Sequence, residues 1–85
     1  MFLQTVQLKR KAGLDGPAIN QLVQVSSRYT SDIFLTYKSR KVNLKSILGV
    51  LSLAIPNHAE LILEASGIDD KEAIEEIKKT IESLS

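Results

Sequence analysis

The 85-residue chain contains no cysteine and no tryptophan, and only one histidine, His58. Without cysteine there is no disulfide framework and no thiolate metal site. One histidine excludes a His-rich metal centre, and His58 reads most simply as a loop residue after Pro56-Asn57. Prolines number two and glycines four, and no repeat or low-complexity linker interrupts the chain. Charge of one sign is also scarce: 11 Lys and Arg stand against 10 Asp and Glu, for a net charge of +1. That excludes a direct nucleic-acid binder relying on a broad basic field. No apolar run approaches the roughly 18 residues of a membrane span. The start, Met1-Phe2-Leu3-Gln4-Thr5, lacks the basic and long apolar segments of a signal peptide. The expectation is a single cytoplasmic domain over residues 1–85.

What the chain does have is one nearly uncharged stretch, Lys45-Ser46-Ile47-Leu48-Gly49-Val50-Leu51-Ser52-Leu53-Ala54. Ser46 is a good N-cap, because its hydroxyl can accept an N–H of the first helical turn. Five large aliphatics, Ile47, Leu48, Val50, Leu51 and Leu53, lie within the next seven positions. A short helix cannot bury all of them. A short core helix and an exposed docking helix with a modifiable serine both fit this stretch.

Around it the periodicity is regular. Residues 2–9 alternate, with Phe2, Val6 and Leu8 on one parity, and predict a strand ending in the basic run Lys9-Arg10-Lys11. That run is either a solvated strand end or a positive rim for an anionic partner. Gly13-Leu14-Asp15-Gly16-Pro17 then starts a helix, capped either by Asp15 or by Gly16 with Pro17 at the first helical position. Ile19, Leu22, Val23 and Ser26 mark its buried face. Ile33 to Tyr37 and Lys41 to Leu44 read as a hairpin around a Lys38-Ser39-Arg40 turn. Ala59 to Ser66 makes a fourth strand. The last helix has its stripe at Ala73, Ile74, Ile77, Ile81 and Leu84. Asp69 and Glu72 have capping-box spacing at its start, and Lys78 and Lys79 suit the dipole near its end. The order is β-α-β-β-α-β-α, an α+β fold: a four-stranded antiparallel sheet with three helices on one face and polar positions on the other.

Several strings resemble HPr, the small phosphocarrier of the bacterial sugar phosphotransferase system. Lys41-Val42-Asn43-Leu44-Lys45-Ser46-Ile47-Leu48-Gly49-Val50-Leu51-Ser52-Leu53 is similar to that family's regulatory-serine region. Leu22-Val23-Gln24, Ser31-Asp32-Ile33-Phe34-Leu35, Ala59-Glu60 and Ala65-Ser66-Gly67 extend the likeness over the whole chain. The resemblance implies the family's open-faced β-sandwich and no enzymatic activity or cofactor of its own.

The active-site stretch departs from the family. Where HPr reads Gly-Ile-His-Ala-Arg-Pro-Ala, this chain has Gly13-Leu14-Asp15-Gly16-Pro17-Ala18. Asp15 occupies the phosphohistidine position, Pro17 the place of the arginine, and no catalytic residue is assigned. Asp15 fits a helix cap, a permanent negative charge, or a carboxylate phosphocarrier. The combination is similar to the histidine-lacking, Crh-like branch associated with catabolite repression. That branch implies Ser46 as the phosphorylation site and Ile47, Leu48 and Leu51 as the partner contacts. The implied partners are HPr kinase/phosphorylase and a LacI-type catabolite control transcription factor. Enzyme I and Enzyme II components are further candidates, and an HPr-fold interaction module without either phosphorylation is a third reading.

Overall fold

The computed structural model describes residues 1–84. Its elements are β1 (Phe2–Gln7), α1 (Gly16–Ser26), β2 (Asp32–Tyr37), β3 (Arg40–Asn43), α2 (Ile47–Leu51), β4 (Glu60–Ser66) and α3 (Asp70–Ser83). The strands lie in the order β1-β4-β2-β3, so β4 inserts between two strands that precede it in the chain. Every neighbouring pair is antiparallel, as in Val6↔Leu61, Leu35↔Leu63 and Leu35↔Val42.

Alternation assigns the two faces of the sheet. Val6, Ile33, Leu35, Leu61, Leu63 and Ala65 point into one cluster with Ile19 and Leu22 of α1, Val50 of α2, and Ile74, Ile77 and Ile81 of α3. α3 packs on β1 and β4, α2 on β3, and α1 on both other helices. The opposite face is solvated but not wholly polar, because it carries Leu3, Phe34 and Ile62. Lys41 shields the Phe34 ring, with Nζ 4.8 Å from its centroid and 3.1 Å from Glu64 Oε2. The ammonium thus sits over the electron-rich ring face while its charge is matched.

Several boundaries move by one or two residues from the periodic reading. β1 ends at Gln7, although the Leu8 N–H still donates to the Ala59 carbonyl at 2.9 Å. The hairpin turn is two residues long, because Arg40 already pairs with Tyr37. Lys38 and Ser39 have φ of 48° and 69°, the doubly left-handed turn whose twist matches that of the flanking strands.

Asp69 corrects the expected capping box. It stands at the N-cap of α3, but its side chain makes no cap bond. The carboxylate instead accepts from the Thr30 N–H at 2.9 Å, the Ser31 N–H at 3.0 Å, and the Thr30 and Ser31 hydroxyls. Those donors lie in the α1–β2 connection, so Asp69 latches it to the start of α3. They hold the Asp69 carboxyl down to about 2, with the Ser31 hydroxyl as the largest cause. Gly67 permits the approach: a β-carbon there would lie 2.8 Å from Ser31 Cα. The dipole expectation at the other end of α3 also shifts. Its last turn carries no basic residue, since Lys78 and Lys79 fall just short of it.

Candidate functional site

Two capped helix starts carry the residues that the sequence singles out. At the first, the chain leaves β1, turns through Lys9–Gly13 and enters α1. Of the two capping schemes the structure adopts Asp15, whose Oδ1 accepts the Ala18 N–H at 3.2 Å, with Gly16 and Pro17 in the first turn. Arg10 folds back so that Nη1 donates to the same Oδ1 at 2.8 Å and to the Gly13 carbonyl at 3.2 Å. The Ala18 N–H is the main reason that the Asp15 carboxyl lies below its usual range. Desolvation opposes that shift and Arg10 adds to it.

The loop is fastened from outside as well. The Arg10 N–H donates to Asn57 Oδ1 at 3.1 Å, and the Leu14 N–H to the Ile55 carbonyl at 2.9 Å. Gly13 has φ +69° and passes so close that a β-carbon would lie 2.6 Å from the Ile55 carbonyl oxygen. The basic run is therefore not a uniform rim. Lys9 and Lys11 are exposed, whereas Arg10 turns inward as the partner of Asp15. Neither Arg10 nor Asn57 could be given this role from local pattern, because their partners are set by the approach of the Ile55–His58 segment. Only the charge pair five residues apart was a signal in the sequence.

At the second start, the Ser46 N–H donates to the Asn43 carbonyl at 3.0 Å and the Lys45 N–H to Asn43 Oδ1 at 2.9 Å. Ser46 is extended, and its Oγ accepts the Gly49 N–H at 3.1 Å. The helix that follows is only five residues long, too short to hold itself by backbone bonds alone. Val50 and Leu53 anchor it in the core, and Arg40 Nη1 donates to the Ser52 carbonyl at 3.2 Å. Lys45 Nζ is engaged elsewhere, donating to the Tyr29 carbonyl at 2.7 Å.

That anchoring decides which aliphatics remain outside. Ile47, Leu48 and Leu51 are 43%, 79% and 46% exposed, while Val50 is 1% exposed. The exposed three form an apolar row beside a half-buried Ser46. α1 and α2 pack together, and Ile55 ties the Asp15 loop to the chain leaving α2. His58 lies apart, exposed, in the turn before β4. Among the described residues no group of three His, Cys, Asp or Glu is placed to hold a metal ion. No helix among them is long and apolar enough to cross a membrane.

The family model for the phosphotransferase-system HPr component, described by its phosphorylation site, matches residues 3–83. The chain belongs to the HPr family. As an HPr-family member it is 42% identical over 77 residues to the HPr-like protein Crh of Bacillus subtilis, covering 91% of each chain. Its fold matches HPr-C-His of Thermoanaerobacter tengcongensis with a TM-score of 0.94 at 36% identity, covering 98% of this chain and 93% of that one. Against the crystal structure of Bacillus subtilis Crh, a swapped and intertwined dimer, the TM-score is 0.79 at 38% identity, covering 100% and 98%. The α+β sheet with three helices is thus the HPr fold. HPr-family proteins act as phosphocarriers or regulators rather than as enzymes, and membership implies interactions with phosphotransferase-system components.

Proposed function

We propose that this HPr-family chain is a cytoplasmic regulatory protein of carbon catabolite repression, switched by phosphorylation of Ser46. The observation that carries the reading is the exposed row Ile47, Leu48 and Leu51 lying beside the Ser46 hydroxyl. Phosphorylation adds about −1.5 to −2 charge and three strong acceptors to that surface. A partner with an apolar slot and basic side chains then meets both features. Burial of each aliphatic contributes about 1.5–3 kcal/mol, and the charge-assisted bonds make binding depend on the phosphate. HPr kinase/phosphorylase is the modifying enzyme in this reading, and a LacI-type catabolite control transcription factor the partner.

A carbon-uptake phosphocarrier using Asp15 is less well supported. One oxygen of that carboxylate already receives both Arg10 and the Ala18 N–H. Those two donors withdraw the electron density that a nucleophile needs.

The test is incubation with HPr kinase/phosphorylase and ATP, followed by mass spectrometry and titration of the product against the transcription factor. One phosphate on Ser46, none on Ser46→Ala, and binding at least tenfold tighter than that of the unmodified chain are expected. No phosphate on Ser46, while an HPr control is modified, overturns the proposal.

A further inference from the structure

Gly49 is a helical residue with no backbone need for glycine: it lacks the positive φ found at Gly13 and Gly67. Glycine in a helix loses more conformational freedom on folding than alanine does, which weakens a five-residue helix such as α2. Its surroundings offer a different reason. A β-carbon at position 49 would lie 3.3 Å from Ser46 Oγ, 3.4 Å from Ser46 Cβ and 3.5 Å from Val42 Cβ. The contact with Val42 is ordinary van der Waals packing, so the fold can take a methyl group there. The tight contact is with the hydroxyl oxygen itself.

We propose that Gly49 is a specificity-determining residue that keeps one side of Ser46 Oγ open to a phosphoryl donor. The inference rests on the reading of Ser46 as the modified residue. In the transfer, Oγ bonds to the γ-phosphorus of a nucleoside triphosphate as the bond to the departing nucleoside diphosphate breaks. The hydroxyl proton passes to a base on the kinase. The incoming group brings three oxygens around Oγ. On one side Oγ already meets the Gly49 N–H at 3.1 Å. A methyl group beside that N–H occupies space that a phosphoryl oxygen must enter or the donor must cross. Glycine leaves the N–H in place and the space empty. Any larger side chain keeps the cap but crowds the approach.

The test compares kinase-catalysed phosphorylation of the native chain, Gly49→Ala and Gly16→Ala. The Gly16 variant is the same change at a helical glycine with nothing within 4 Å of the added carbon. Gly49→Ala is expected to keep the native amide fingerprint, to melt no lower than the native chain, and to lose at least tenfold in kcat/KM for phosphorylation. Gly16→Ala is expected to stay within twofold. Equal phosphorylation of Gly49→Ala and the native chain overturns the inference. So does a Gly49→Ala chain that does not fold, or a tenfold loss in both variants. If the native chain takes no phosphate on Ser46 while an HPr control does, the underlying function fails first, and the inference with it.

Discussion

The Asp15 loop and the Ser46 helix start in the same way and end in opposite states. In each, a side-chain oxygen at the N-cap accepts the N–H three residues on, at 3.2 Å and 3.1 Å. Around Asp15 the residues that fasten the loop turn inward, although Gly16 and Pro17 stay exposed. Arg10 pairs with it, Asn57 holds Arg10, and Gly13 lies against Ile55. Around Ser46 the neighbours turn outward, leaving Ile47, Leu48 and Leu51 exposed, and the nearby cation of Lys45 is held by Tyr29. The charged Asp15 cap is matched by Arg10, and the bonds that hold Arg10 close the loop. A neutral hydroxyl needs no counter-ion, so its surroundings remain available to a partner. The same capping chemistry therefore yields a closed structure at one site and an accessible surface at the other.

The largest test of this contrast lies within α2. Val50→Ala removes a core contact and should cost about 2 kcal/mol, read as a shift in the denaturant midpoint. Leu48→Ala should stay within about 0.5 kcal/mol of the native chain yet weaken transcription-factor binding at least tenfold. Comparable stability losses in the two variants would mean that the exposed row is structural after all.

Acid unfolding sharpens the role of matched carboxylates. Asp69 is held at about 2, below its usual 3.8. Its ionised form therefore favours the fold. That contribution is complete above about pH 4 and is lost as the pH falls toward about 2. Asp69→Asn should flatten this acid limb in a circular-dichroism titration, and an unchanged limb would place the acid sensitivity elsewhere.

A smaller effect is expected at the closed loop. In Arg10→Met, NMR titration should find the Asp15 carboxyl higher than in the native chain but still below its usual range, because the Ala18 N–H remains. A full return to the usual range would make Arg10, not the helix cap, the dominant partner.

Much of the fold is legible along the chain. Alternation locates the strands, and the 3.6-residue stripe from Ala73 to Leu84 locates α3, because both periods reflect which side of an element meets the core. Ser46 is legible as a cap, and Asp15 as one of two candidates, because capping is local chemistry. Asp69 is not legible in that way. Its spacing to Glu72 suits a capping box, but four donors from a connection some 38 residues earlier in the chain claim the carboxylate. Arg10 is half legible: its charge is visible, but its direction is not.

By itself, then, the sequence determined the order of elements and the surplus of aliphatics around α2 that a short helix cannot bury. Each of these depends on residue type and short-range spacing. Only the tertiary structure decided that Arg10 and Asn57 close the Asp15 loop and that Asp69 serves as a latch. Those outcomes depend on which distant segments arrive beside each side chain. A buried or charged group takes the partners that the packed fold supplies, whatever its local pattern suggests.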